Sequence, residues 1–134
     1  MQAELWKPIS GYNGYYEVSN LGRVRSITRK IERFVPGSNR TKKALYTYKG
    51  KLVPFWITKK GYCRCTLNIN GIKKNHLVHQ LVAKEFLDNK DNKIQVNHIN
   101  CVKTDNNVNN LEWCTNYENY IHSVKNGLQP YQNL

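Results

Sequence analysis

Between Ile94 and Gly127 the residue order reads strand, polar loop, strand and helix, and this succession constrains the chain more than any other stretch. Ile94 to Ile99 is an apolar run sized for one short strand, and Leu111 to Cys114 is a second. Asn100 to Asn110, between them, carries five asparagines and no apolar period. Thr115-Asn116-Tyr117-Glu118 has the spacing of a capping box, in which Thr115 and Glu118 satisfy each other's free backbone donors, so a helix starts there and stops at Gly127. The pattern sets the imidazole of His98 at the end of the first strand and amide side chains at Asn110 and Asn119, 12 and 21 positions later. An imidazole titrating near neutrality can take a proton from water, and amide oxygens suit a hard divalent cation. That combination points to phosphodiester hydrolysis.

The middle of the chain reads as β structure followed by one helix. Cys63, Cys65, Leu67 and Ile69 alternate with Tyr62, Arg64, Thr66 and Asn68, the period of a half-buried strand. Asn70-Gly71, before Ile72, is a strong type I′ hairpin signal because both residues tolerate positive φ, and Lys59-Lys60-Gly61 reads as an earlier turn. Leu77, Val78, Leu81, Val82, Phe86 and Leu87 recur at three-to-four spacing, which predicts a short amphipathic helix running to about Leu87 with its apolar face on the sheet.

Ahead of this lies an aromatic segment. Tyr15-Tyr16-Glu17-Val18-Ser19 and Arg23-Val24-Arg25-Ser26, joined through Gly22, predict a hairpin that shows Arg23 and Arg25 on one face and Val24 on the other. Trp6, Tyr12, Tyr15 and Tyr16 are expected to form the core of this segment in preference to a base-stacking platform, because aliphatic residues are scarce around them. Thr28 to Gly50 carries Arg29, Lys30, Arg33, Arg40, Lys42, Lys43 and Lys49 around Pro36-Gly37-Ser38-Asn39, and reads as a mobile basic loop.

A chain of 134 residues makes one ordinary domain. With 21 Lys and Arg against 9 Asp and Glu, its formal charge of +12 calls for a polyanionic partner. Nucleic acid fits better than a membrane, since no apolar stretch of about 18 residues occurs. Met1 is followed by Gln2-Ala3-Glu4, not by a basic and then an apolar run, so no secretory signal is expected and the cytoplasm is the expected location, a host's if the gene is phage-borne. Cys63, Cys65, Cys101 and Cys114 are then expected as reduced thiols. They contain no Cys-x-x-Cys pair, and a structural zinc site, which would have to draw in His76 or His122, is not expected.

These blocks resemble the HNH, or ββα-metal, nucleases, and in particular their phage and intron homing branch. The resemblance rests on Val78-His79-Gln80-Leu81-Val82-Ala83 with Phe86, on Val96-Asn97-His98-Ile99, on Asn106-Asn107 with Asn110-Leu111-Glu112-Trp113-Cys114-Thr115, and on Glu118-Asn119. Trp6 to Ser26 resembles the small module that often precedes such a domain. The resemblance implies an α+β fold: an N-terminal β-hairpin module and basic loop over residues 1–50, then β-hairpins, a short helix and a ββα-metal core over residues 51–134.

It also implies a mechanism. His98 would be the general base, Asn97 and Asn119 the ligands of one Mg²⁺ or Mn²⁺, and Asn110 a brace that aims His98 through hydrogen bonds to backbone. His79 and His122 are accessory candidates; a structural hydrogen-bonding role is favoured for the first, and structural or phosphate contact for the second. Arg23, Arg25, Arg29, Lys59, Lys60, Arg64, Lys73 and Lys74 are candidate contacts to double-stranded DNA, chiefly to phosphates. The sequence departs from the family where Asn97 stands for a common Asp and Asn100-Cys101 for a common Asp-Gly, and Leu134 closes it without the helix-turn-helix extension of some relatives, which implies lower site selectivity. The function implied is a metal-dependent DNA endonuclease, nicking or double-strand, acting as a monomer or a homodimer. The alternative is a DNA-binding protein with an inactive site.

Overall fold

Alternation in the sequence becomes alternation in burial, and the sheets follow from it. In the computed structural model, which describes residues 2–128, Cys63, Cys65 and Leu67 are buried along the strand Cys63–Ile69 while Arg64 and Thr66 between them are half-exposed. Ten strands and two helices succeed one another among these residues. β1 (Trp6–Pro8), β2 (Tyr16–Ser19) and β3 (Val24–Ser26) form one antiparallel sheet; β4 (Arg29–Phe34) and β5 (Lys43–Tyr48) form a hairpin; β6 (Trp56–Ile57), β7 (Cys63–Ile69) and β8 (Ile72–Leu77) form a third sheet. Helix α1 (Val78–Phe86) follows, then β9 (Gln95–His98), a 3₁₀ turn (Val108–Asn110), β10 (Leu111–Cys114) and helix α2 (Asn116–Lys125). The fold is α+β, as the sequence predicts. Residues 129–134, the end of the expected nuclease unit, lie outside the described residues.

The predicted turns form for the expected reason: Asn70 at φ 52° and Gly71 at 79° close β7 onto β8, and Gly61 at 92° ends the turn before β7. Helix α1 stops one residue short of the expected Leu87 and buries Val78, His79, Leu81, Val82 and Ala83. That apolar stripe meets Val18 and Val24 of the first sheet, Cys65 and Leu67 of the third, and Val96 and Leu111 of the last, so one core joins all of them. Helix α2 starts in the predicted capping box, with Thr115 accepting from the Glu118 amide and Glu118 from the Thr115 amide. It ends in a Schellman motif, Gly127 at φ 70° donating to Val124 and Leu128 to Ser123.

The mobile basic loop expected from Thr28 to Gly50 is instead the β4–β5 hairpin, paired from Arg29↔Tyr48 to Phe34↔Lys43. Its cations lie against aromatic rings, three of them its own: Arg29 is 4.8 Å from the Tyr48 ring and 4.7 Å from that of Tyr15 outside the hairpin, Arg33 4.4 Å from Tyr46, and Lys43 5.1 Å from Phe34. Reading the run by charge alone missed that Ile31, Phe34, Leu45, Tyr46 and Tyr48 are strand formers which guanidinium groups can cover. No helix among the described residues is long and apolar enough to cross a membrane.

Candidate active site

Four registered pairs, from Leu111↔His98 to Cys114↔Gln95, hold β9 against β10. Because side chains alternate along a strand, β9 sends Val96 and His98 toward α1 and the core, and Gln95 and Asn97 to the opposite face. Helix α2 crosses that second face, where Asn119 Nδ2 donates to Gln95 Oε1 at 2.9 Å. The two faces meet at the strand end in a cleft of about 470 Å³ whose lining includes Tyr62, Asn97, His98, Lys103, Asn119 and His122. Residues 98 and 119, which the proposed chemistry needs together, therefore share one cavity.

His98 is 4% exposed, and its Nε2 lies 2.8 Å from Asn106 Oδ1. An amide oxygen can only accept, so Nε2 carries the hydrogen and Nδ1 keeps the lone pair. Burial pushes the His98 pKa below its ordinary value, with Lys103 adding to the effect, while the Asn106 bond and Asp105 oppose it. The imidazole is accordingly neutral at neutral pH, the state a base requires. The rings of His79 and Tyr62 stand behind it, with centroids 4.8 and 6.0 Å from that of His98. His79, whose Nδ1 is buried with no hydrogen-bond partner among the described residues, is carried down to about 4, first by burial and then by repulsion from His98 once that ring is protonated in acid.

Loop 99–110 is held by its asparagines. Asn110 Oδ1 accepts from the Asn100 amide and its Nδ2 donates to the Asp105 carbonyl, both at 2.9 Å, while its own carbonyl accepts from Ile99 at 2.8 Å. Cys101 adopts φ 64°, the left-handed conformation that glycine takes freely, at the position where the resemblance leads one to expect glycine. The first sheet supports this loop from outside: Val108 donates to the Asn20 carbonyl at 2.8 Å, and a Cβ on Gly22 would lie 2.8 Å from that of Asn106.

The donor set fits a hard cation. Asn97 Nδ2 donates to Glu112 Oε1 at 2.9 Å, so the nitrogens of both Asn97 and Asn119 are engaged. Neither Oδ1 accepts a hydrogen bond among the described residues, and both side chains line the cleft. Free amide oxygens of this kind suit Mg²⁺ or Mn²⁺. No group of three or more His, Cys, Asp or Glu side chains able to hold a metal gathers among the described residues. His122 donates from Nε2 to the Ile99 carbonyl at 3.0 Å, tying α2 to the end of β9, and His76 Nε2 meets the Tyr12 hydroxyl at 2.9 Å.

The basic candidates divide. Arg23 is bonded to Glu4, and Arg25 pairs with Glu17 at 2.7 Å while lying 4.0 Å from the Trp6 ring, so both reach the surface with a carboxylate already beside them. Trp6 is thus a platform for two guanidiniums, whereas Tyr12 is core. Lys59, Lys60, Lys73 and Lys74 are exposed, and Arg29 and Arg64 half-exposed. Lys103 Nζ bonds the Lys60 carbonyl at 2.6 Å and lies 4.8 Å from the Tyr62 ring at the cleft wall. Sequence reasoning missed Asn106 as the partner of His98, missed Tyr62, Lys103 and Gln95 around the cleft, and missed Glu112 as the partner of Asn97. The Asn106-Asn107 pair and Glu112 stood in the family blocks, but only the folded loop shows what they touch.

Comparison with known proteins bears on the fold and the family. Residues 4–68 match the NUMOD4 motif and residues 76–120 match the HNH endonuclease family. An HNH endonuclease of Acanthamoeba polyphaga mimivirus is 37% identical over 125 residues, 92% of this chain and 31% of that protein. The DNA endonuclease I-HmuI of Bacillus phage SP01 is 33% identical over 122 residues, 91% of this chain and 59% of that protein. A solved structure of DNA binding and cleavage by the HNH homing endonuclease I-HmuI superposes with a TM-score of 0.73 at 31% identity, covering 95% of this chain and 62% of that one. The chain thus spans from under one-third to about three-fifths of the length of these relatives.

Proposed function

We propose that the chain is an HNH endonuclease, on the footing of the family match over residues 76–120 and the likeness to I-HmuI, and that it hydrolyses phosphodiester bonds of double-stranded DNA, with His98 as general base and Asn97 and Asn119 as ligands of one divalent cation. The observation that carries this reading is the orientation of His98: Nε2–H is spent on Asn106, which leaves Nδ1 as the proton acceptor in a cleft that also holds two free amide oxygens. Asn97 and Asn119 would hold Mg²⁺ or Mn²⁺, which when bound neutralises charge building on the phosphate and leaving oxygen.

The remaining steps belong to the chain's own residues. A water within reach of Nδ1 loses its proton to His98 as its oxygen attacks phosphorus, and the bond from phosphorus to the 3′ oxygen breaks, its electron pair departing on that oxygen, which takes a proton from solvent. Asn106 holds the ring through that transfer and supports the imidazolium that results. Asn110 acts on backbone only and is a positioning residue. Lys103 lines the cleft and is bonded to the Lys60 carbonyl, and with the exposed Lys59 and Lys60 it would meet the DNA backbone, while the β4–β5 hairpin, a two-stranded ribbon of the kind a DNA groove admits, would add Arg33, Arg40 and Lys43.

The test is supercoiled plasmid with Mg²⁺ or Mn²⁺, wild type beside His98→Ala. Wild type should convert the plasmid and His98→Ala should be slower by about 10²–10⁴-fold. Equal cleavage by both would remove His98 as base. Binding by wild type without any cleavage would favour the alternative, a DNA-binding protein whose neutral ligand pair has left it inactive.

A further inference from the structure

Resting on the proposed metal site, we propose that Glu112 is a positioning residue that turns the Asn97 amide oxygen toward the cation and supplies, from outside the cleft, the negative charge that the Asn97 and Asn119 pair lacks. Glu112 sits directly across the ladder from Asn97, and its Oε1 accepts from Asn97 Nδ2 at 2.9 Å. A carboxylate has no hydrogen to give. Asn97 must therefore present its NH₂ to Glu112 and turn Oδ1 the other way, into the cleft whose wall it forms. On the helix side Gln95 Oε1 holds Asn119 Nδ2 in the same manner.

Two further observations separate this from an incidental surface contact. Glu112 is absent from the cleft lining and borders a different depression, with Leu87, Lys93 and Trp113, so it reaches Asn97 from behind and is not itself a ligand. In a chain with 21 Lys and Arg, no cation lies within ion-pair distance of Glu112 among the described residues. Its charge is directed to the amide, whose oxygen it makes a better donor by polarising the N–H bond. A hydrogen-bonded carboxylate behind a ligand is a recurrent way of orienting and strengthening metal donors, and its loss costs about 10–100-fold in metal affinity or activity.

The experiment follows Mn²⁺ binding without DNA, through paramagnetic broadening of the backbone amide signals of residues 97 and 119, and in parallel the Mn²⁺ concentration giving half-maximal plasmid cleavage. For Glu112→Ala both midpoints should rise by about tenfold or more, with Glu112→Gln between Ala and wild type. DNA affinity in EDTA should be unchanged, and Glu112 is exposed, so folding should be too. Asn97→Asp combined with Glu112→Gln should bring the midpoints back to wild type or below, because the charge then sits on the ligand itself. Wild-type broadening with Glu112→Ala midpoints within about twofold of wild type overturns the role of Glu112 and leaves the metal site standing. Wild type that neither broadens at these residues nor cleaves overturns both.

Discussion

Acid should weaken this fold through one buried imidazole. His79 lies on the inner face of α1, 4% exposed, and burial brings it from 6.5 down to about 4. A base whose folded pKa is depressed resists protonation in the native state, while the unfolded chain takes up a proton at the ordinary value. Stability is thus fully present above pH 6.5 and drains as pH falls toward 4. Each pH unit inside that window costs about 1.4 kcal/mol, so descending from pH 6.5 to 4.5 should remove about 2–3 kcal/mol on account of His79 alone. His98 and His76 are lowered too and add to the slope, whereas the lowered carboxyls of Glu4 and Glu118 lose their contribution only below their ordinary 4.5. The assay is urea unfolding of wild type and His79→Gln at intervals between pH 7.5 and 4.5. The variant is expected to be less stable at pH 7.5, having lost the packing against Tyr62 and His98, but the gap should close by about 2–3 kcal/mol on acidification. Parallel curves would refute the buried, neutral His79.

Three other outcomes are expected. Gly22→Ala places a Cβ 2.8 Å from that of Asn106 at a backbone φ of 90°, so it should destabilise by about 1–3 kcal/mol and slow plasmid cleavage under conditions where the protein remains folded, measured by denaturation and initial rates. Thr115→Ala removes one half of the capping box of the helix that carries Asn119; unfolding should show a loss of about 1 kcal/mol, and the Mn²⁺ midpoint for cleavage should rise. If about six phosphates are contacted, DNA affinity should fall with a log-log salt slope near −5, and Lys73→Ala should reduce that slope by about one, as read by fluorescence anisotropy across a salt series.

Much of the fold is written in local pattern. Period-two burial from Cys63 to Ile69, the Asn70-Gly71 turn, the apolar stripe of α1 and the capping box at Thr115 each depend on neighbours within a few positions, and each forms where the residues place it. The β4–β5 hairpin was the exception, because its strand formers are interrupted by charge and its stability comes from cross-strand partners about 10–20 positions away in sequence, Arg29 on Tyr48 and Arg33 on Tyr46 among them. The candidate site divides the same way. His98 and Asn119 could be picked out as candidates from residue type and order, and Asn97 only from the resemblance to a family. That Asn106 takes up Nε2 of His98, that Tyr62 and His79 back its ring, and that Glu112 faces Asn97 depend on the meeting of β7, α1, β9 and β10, which no local spacing encodes.

By itself, then, the sequence determined the strand-loop-strand-helix order, the positions of an imidazole and of the amides on it, and an excess of cations that calls for a polyanion. Only the tertiary structure decided which nitrogen of His98 is bonded, which residues take up the amide nitrogens of Asn97 and Asn119, and which arginines are already paired with carboxylates. The physical reason is that hydrogen bonds and ion pairs select their partners by distance in space, and chain order sets that distance only within a turn or a hairpin.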